Sequence, residues 1–305
     1  MNNLFLRIQK KKKQLDQLRP IPTVVLEKLK KQLALEWTYN SNAIEGNTLT
    51  LQETRLVLEE GMTIKGKPLR EHFEAKNHEN AIQYLEKIIQ QNFKCTESHI
   101  FEIHKLVLDG IEEEFAGRYR DGQVRIIGAN FIPPAGHKVP DLMTEFVKKV
   151  TIQQKRGNFL SLATFAHHRF VWIHPFFDGN GRTARLFMNL LLMKEGYPPA
   201  IILKNDRKKY YDALNQANKE NYEKLTLLIG QAIERSLDIY ISAFSTHSNE
   251  EYISLSQIAP HTPYSAEYLG FLARKGFINA YKQGRNWVSN LQSVQEYINR
   301  NSSSH

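Results

Sequence analysis

The 305-residue chain has a single cysteine, Cys95, so no disulfide can close within it. One free thiol fits a reducing compartment. Long apolar runs are also missing. No stretch approaches the ~20 residues that a membrane-spanning helix needs. The short apolar piece Leu4-Phe5-Leu6 leads into Lys10-Lys11-Lys12-Lys13. A secretory leader has its charge before its apolar run, not after. These absences predict a cytoplasmic protein without membrane contact. No repeat period is visible, and low complexity is confined to Ser302-Ser303-Ser304.

Hydrophobic content of 41% and charge of 24% lie in the globular range. The length predicts about two domains, with a core that needs no covalent staples. The net charge is +9, with an isoelectric point near 9.4. Much of it is local: residues 1–31 carry nine Lys and Arg against Asp16 and Glu27. That pattern predicts a solvated basic helix face, with an acidic partner or nucleic acid as the alternative.

Apolar residues at steps of three and four predict helices over 24–38, 51–60, 70–88, 97–116, 142–154 and 160–173. Gly117 is the expected stop of the fourth. Residues 183–193 are apolar nearly all round, which predicts a buried helix ended by Gly196 and Pro198-Pro199. Two more helices are expected near 206–219 and 221–243. Residues 123–134 differ: Val124, Ile126 and Ile127 lead through Gly128-Ala129-Asn130 to Phe131 and Ile132, which reads as a short hairpin. Residues 246–251 read as a linker. Beyond them come a short helix at 255–259, a helix at 265–275, and a hairpin around Gln283-Gly284. That order suggests a small winged helix-turn-helix. The predicted fold is mainly α, with a small hairpin flap and a C-terminal winged module. The predicted domains are an N-terminal helical region over 1–92, a central domain over 93–245 and the winged module over 246–305.

The chemistry concentrates in residues 174–185, His-Pro-Phe-Phe-Asp-Gly-Asn-Gly-Arg-Thr-Ala-Arg. Gly179-Asn180-Gly181 stands at the start of the buried helix. Glycines there let successive N–H groups converge, and the helix N-terminus adds positive charge, so the segment suits a phosphate. Arg182 and Arg185 oppose the helix dipole unless an anion lies between them and the loop. Their i, i+3 spacing lets both face one ligand. Asp178 is a hard oxygen ligand beside this nest, suited to Mg²⁺ that is also bound by phosphates. His174 can take a proton from an attacking hydroxyl. A metal site of His167, His174 and Asp178 is the alternative to a structural role for His167, and the structural role is the preferred reading.

This segment resembles the Fic motif, His-Pro-Phe-x-Asp/Glu-Gly-Asn-Gly-Arg-x-x-Arg, at every fixed position, and the similarity extends over about residues 35–245. The resemblance implies transfer of AMP from ATP to a Ser, Thr or Tyr hydroxyl of a target protein, or of the chain itself, with release of pyrophosphate. It implies His174 as general base and Asp178 as the Mg²⁺ ligand. Asn180 and the amides of Gly179 and Gly181 would bind phosphate, and Arg182 and Arg185 would hold the β- and γ-phosphates. Phe176 would be a core anchor. The segment 124–134 resembles the family's flap, whose edge would pair with the target peptide, placing Ile127, Gly128 and Ala129 near the nucleotide. Tyr210-Tyr211 and Ala217-Asn218 occur at family-like spacing, so Tyr211 and Asn218 are candidates for the nucleoside, with core packing as the alternative.

Residues 41–46, Ser-Asn-Ala-Ile-Glu-Gly, resemble the family's inhibitory pattern. The resemblance implies that Ser41, Glu45 and Gly46 form a brake, with Glu45 pairing with Arg185 and misplacing the γ-phosphate. The plain alternative is a helix C-terminus capped by Gly46. Two other activities are carried: the reverse removal of AMP, and a DNA-binding regulator that senses nucleotide. Residues 251–305 hold five Lys and Arg against three Glu, a net +2, modest for a DNA reader. A homodimer is a further expectation of the resemblance.

Overall fold

The computed structural model describes residues 2–19, 23–91, 93–126, 129, 131–245 and 252–302. The chain divides into two compact units, residues 31–229 on one hand and residues 1–30 with 230–305 on the other. The division falls inside two helices, α2 (Thr23–Ile44) and α10 (Glu223–Ser245).

In the larger unit, α2 is followed by α3 (Leu51–Glu60), α4 (Leu69–Ile89), α5 (Glu97–Leu108), α6 (Val139–Lys155), α7 (Phe159–Ile173), α8 (Asn180–Lys194) and α9 (Arg207–Ala217). Helix α8 is the axis, packed against α7, α5 and α4. Every residue from Arg182 to Leu192 is buried, as its all-round apolar sequence requires. Its one mid-helix amide, Asn189, is satisfied: Nδ2 donates to Ala200 O (3.1 Å) and Oδ1 accepts from Ala200 N (2.7 Å). Around α8 the rings of Phe146, Phe170, Phe176 and Phe187 interlock, with centroids 5.7–6.4 Å apart and each ring almost fully buried. Each such burial contributes about 1.5–3 kcal/mol.

Local signals end the helices. Thr50 and Glu53 form a reciprocal capping box at the start of α3, and Gly61 closes it in the left-handed region. Asn158 caps α7 by accepting from Ser161 N (3.0 Å). Helix α5 is shorter than its apolar spacing predicts. It stops at Leu108, and turns continue to Gly117. Asp109 leaves the helical region, and Gly110 follows with φ +64°. The expected flap hairpin is not built as paired strands among the described residues of 123–134. The two arms are tied instead by Gln123 Nε2 donating to Pro133 O (3.0 Å).

In the smaller unit, α1 (Asn2–Gln17) and the rest of α10 accompany a compact C-terminal segment. Here β1 (Ile253–Ser254), α11 (Leu255–Ile258), α12 (Ala266–Lys275), β2 (Ala280–Gln283), β3 (Asn286–Ser289) and α13 (Leu291–Ser302) follow in order. The sheet is antiparallel in the order β1-β3-β2, with Tyr281 opposite Val288 and Ile253 opposite Ser289. The expected two helices and hairpin are present, and β1 and α13 are additions to them. Leu255, Ile258, Leu269, Leu272, Ile278 and Val294 form its core. The linker expected at 246–251 lies outside the described residues.

Within the basic run of residues 1–31, Lys13, Arg19, Lys28 and Lys31 are exposed as the solvated reading expects, whereas Lys11 and Arg7 depart from it. Lys11 is 5% exposed and pairs with Glu234 (3.0 Å) and Asp238 (2.6 Å), while Arg7 binds Glu234 through Nε (2.7 Å) and Nη2 (2.9 Å). Burial pushes the Asp238 carboxyl up to about 6 against the pull of Lys11. These charges are consumed inside the unit, which sequence composition cannot distinguish from a wet helix face.

Replacing Phe187 by Ala removes a ring packed on all sides. The expected loss is about 3–5 kcal/mol, read as a lower midpoint in chemical denaturation.

Candidate active site

Helix α7 ends at His174, which takes the left-handed conformation (φ 52°, ψ 60°) and donates its N–H to Phe170 O (2.9 Å). Such a φ costs a non-glycine residue about 1–2 kcal/mol. Arg120 holds it there. This arginine is 1% exposed and donates to four carbonyls: His174 O (2.7 Å), Ile173 O (3.3 Å), Gly122 O (2.7 Å) and Pro134 O (2.6 Å). Its own backbone N–H donates to Pro175 O (2.9 Å). One buried guanidinium thus fastens the end of α7 to both roots of the 123–134 segment. Gly136 completes the far root, since a Cβ there would overlap the Asp121 carbonyl.

The 175–181 loop is shaped by its own side chains. Asn180 Nδ2 donates to Phe176 O (2.8 Å), and Asn180 Oδ1 accepts from Phe176 N (3.0 Å). The Asn180 side chain, expected on phosphate, is therefore engaged with the loop. His104 stacks on Phe176, centroids 3.5 Å apart and 4° from parallel. Gly117 N donates to His104 Nδ1 (2.9 Å), so the ring proton lies on Nε2, which donates to Asp178 O (3.0 Å). Burial lowers this imidazole to about 4, so it stays neutral. Gly179 takes φ +72°, where a side chain is strained, and a Cβ there would press on His104 and Val107 at 3.2–3.3 Å.

The His174 ring is partly buried. Its Nδ1 faces Val171 O (3.3 Å), and a carbonyl only accepts, so Nε2 is left as the basic nitrogen. Burial lowers its pKa to about 4, the Val171 carbonyl opposes the shift, and the Arg120 charge adds to it.

Asp178 Oδ1 accepts from Gly179 N (2.6 Å), while Oδ2 faces Arg70 Nη2 (2.5 Å) and Arg182 Nη2 (3.5 Å). Arg182, 3% exposed, also pairs with Glu74 (3.2 Å). Arg185 is buried at 2% and pairs through Nη1 with Glu45 Oε1 (2.7 Å). Its Nε donates to Ser41 Oγ (3.0 Å) and its Nη2 to Ser41 O (2.8 Å). Burial works against the charge of Arg185, and Glu45, Tyr210 and Tyr211 together outweigh it and raise the pKa. The Glu45 carboxylate lies directly over Gly181, where any Cβ would collide with Oε1. An anion therefore occupies the start of α8 in the chain by itself.

These groups open onto a cavity of about 620 Å³, within the range of small-ligand sites. Of the residues singled out in the sequence, Glu45, His174, Asp178, Gly179, Asn180, Gly181, Arg182 and Tyr211 line it. Arg185 and Ser41 stand behind the wall, and Gly46 turns the chain at φ +106°. Tyr211 and Arg207 also grip the end of α2: Ile44 O accepts from Arg207 Nε (2.6 Å) and from Tyr211 OH (3.4 Å). Ala129 N donates to Ile126 O (3.2 Å), and Ile126 lines the cavity in its place, while Ile127 and Gly128 lie outside the described residues. Asn218 is not a lining residue; its Oδ1 accepts from His168 Nε2 (2.9 Å). His167 bonds Tyr210 OH (2.8 Å), the structural role preferred for it.

Sequence reasoning missed Arg70, His104, Arg120 and Arg207. None lies in the 174–185 motif, and none carries a periodic signal. Among the described residues no group of three His, Cys, Asp or Glu is set to hold a metal. Asp178 alone, with Oδ2 already facing cations, suits an ion whose remaining ligands come from phosphates.

His174 should titrate near 4 in a ring-nitrogen NMR experiment, against about 6.5 for a free imidazole. The unfolded chain takes up this proton below about 6.5 and the folded chain only near 4. The contribution of His174 to stability is therefore full above that window and falls as the pH drops through it.

Residues 94–192 match the Fic/DOC family. The protein named "Protein adenylyltransferase Fic" from Drosophila persimilis is 38% identical over 221 residues, covering 72% of this chain and 43% of that protein. Its namesake from Nematostella vectensis is 37% identical over 232 residues, covering 75% and 54%. The chain spans about half the length of these curated relatives. Among solved structures, Fic-1 (residues 134–508) from C. elegans superposes with a TM-score of 0.73 at 30% identity, covering 81% of this chain and 73% of that one. A Fic domain containing signaling protein from Bacteroides thetaiotaomicron gives 0.74 at 28% identity, covering 80% and 99%. With its loop geometry and these likenesses together, the chain belongs to the Fic/DOC family.

Proposed function

We propose that this chain is a protein adenylyltransferase held in a resting state by its own Glu45. A Ser, Thr or Tyr hydroxyl of a target protein, or of the chain itself, attacks the α-phosphorus of ATP. The new bond joins that phosphorus to the hydroxyl oxygen, the bond to pyrophosphate breaks, and the hydroxyl proton passes to His174 Nε2. The observation that carries the reading is the Glu45 carboxylate seated over Gly181 on Arg185, since it marks a built anion site at a helix N-terminus. The names of the curated relatives support the same reaction.

The N–H groups at Gly179, Asn180 and Gly181 receive phosphate oxygens, and Arg182 and Arg185 clamp the β- and γ-phosphates. Asp178 would hold Mg²⁺, which would neutralise charge on the phosphates. Tyr211 packs against the nucleoside, and Asn218 assists only where its amide turns from His168. The 124–134 segment, Ile127, Gly128 and Ala129 included, lines the nucleotide and lays its edge along the target peptide. While Glu45 holds Arg185, the γ-phosphate lacks its partner and the α-phosphorus is out of line for attack. For residues 251–305, the modest net charge and the exposed Tyr268 and Phe271 on α12 favour protein contact over duplex DNA.

One observation favours a second reading. Glu45 lines the cavity and its charge acts on His174. A carboxylate there can position water against the phosphorus of an AMP-modified side chain, releasing AMP and restoring the hydroxyl. AMP release from a modified protein, abolished in Glu45→Gly, would mark this activity.

Glu45→Gly should raise self-modification by labelled ATP about tenfold to hundredfold. An unchanged rate at matched folding overturns the brake. His174→Ala should lower transfer by about 10²–10⁴-fold with ATP still bound. Retained transfer removes His174 from the mechanism.

A further inference from the structure

Arg70 belongs to α4, more than a hundred residues before Asp178, yet its Nη2 sits 2.5 Å from Asp178 Oδ2. The same guanidinium reaches Glu112 through Nη1 (3.0 Å) and Glu74 through Nε (3.4 Å). Three carboxylates thus surround one cation at the lip of the cavity. Arg182 is the other cation on Asp178 Oδ2, but it is longer at 3.5 Å, buried, and held by Glu74 at 3.2 Å. Arg70 is about half exposed, so it is the cation that can leave.

We propose that Arg70 is a placeholder for the divalent cation at Asp178, a competitor that metal binding must displace. The inference rests on the reading of Asp178 as the metal ligand. A directly bonded Mg²⁺ and a guanidinium cannot share the same lone pairs of Oδ2, and their charges repel. Without metal, Arg70 adds its charge to that of Arg182 on Asp178 Oδ2 and holds Glu74 and Glu112 on the same guanidinium. With metal, Arg70 swings away and still finds Glu112, so no charge is stranded. The opposite end of the site has the same design, with the Glu45 carboxylate on Arg185 standing where a phosphate is read to bind. The resting site is complemented at both ends by its own side chains, a cation at the metal position and an anion at the phosphate position.

The test is Mn²⁺ titration of the full chain by electron paramagnetic resonance, with a non-hydrolysable ATP analogue present, for wild type, Arg70→Gln, Arg70→Lys, Asp178→Asn and the Arg70→Gln/Asp178→Asn double variant. Arg70→Gln should tighten Mn²⁺ binding about two- to fivefold, the scale of an exposed ion pair. Arg70→Lys, which keeps the charge, should stay near wild type. The gain should vanish in the Asp178→Asn background. If Asp178→Asn weakens Mn²⁺ binding but Arg70→Gln does not tighten it, the placeholder is overturned and the metal reading stands. If the gain persists without the Asp178 carboxylate, Arg70 acts only through the general field and the proposal fails. If Asp178→Asn leaves Mn²⁺ binding unchanged, the metal reading falls, and the placeholder with it.

Discussion

The structure turns on a buried positive charge that cannot stand alone. Arg185 lies inside the protein at the positive end of α8, where both burial and the helix dipole oppose a cation. An uncompensated buried ion costs several kcal/mol, so an anion must be present. The chain supplies one, Glu45, and adds Ser41 Oγ and Ser41 O as acceptors for Nε and Nη2. The same demand recurs one turn earlier, where Arg182 is held by Glu74 and Asp178. In the proposed function the substrate phosphates satisfy this demand in place of Glu45.

That exchange needs a rigid frame. Arg120 binds four carbonyls that α7 and the 123–134 segment would otherwise leave unpaired. His104 fixes the Asp178 backbone from one side, and Asn180 closes the loop on Phe176 from the other. Phe176 anchors all of this in the aromatic core around α8. Leaving any of these buried polar groups unpaired costs about 1–3 kcal/mol, so the loop has one shape. The polar residues nearest the reacting groups therefore divide into those that face the cavity and those that hold the others still.

Much of this was legible in the sequence because the relevant residues are neighbours in the chain. The helices follow from apolar spacing, the burial of α8 from its Leu, Phe and Met broken only by Asn189, and the turn into α8 from Gly179-Asn180-Gly181. The pairing of Glu45 with Arg185 was legible only through the family pattern, since nothing in local spacing links residues so far apart. Arg70, His104, Arg120 and Arg207 had no such help. A single Arg or His on a helix or turn looks the same whether it faces water or a carbonyl far along the chain. Lys11 misled for that reason: four consecutive lysines read as wet, yet one is enclosed by Glu234 and Asp238. The end of α5 was missed because apolar residues continue past Leu108 into a turn.

The sequence by itself determined the mainly helical fold, the buried helix and the twelve-residue motif that joins α7 to α8 with its histidine, carboxylate and arginines, because each depends on contacts within a few residues. Only the tertiary structure decided which charges meet. It placed Arg70 on Asp178, Glu74 on Arg182 and Arg120 on the carbonyls of α7, and it turned the Asn180 side chain inward to the loop. The reason is electrostatic. Ion pairs and buried hydrogen bonds depend on distance in space and on exclusion of water, and neither is written in the spacing of residues along the chain.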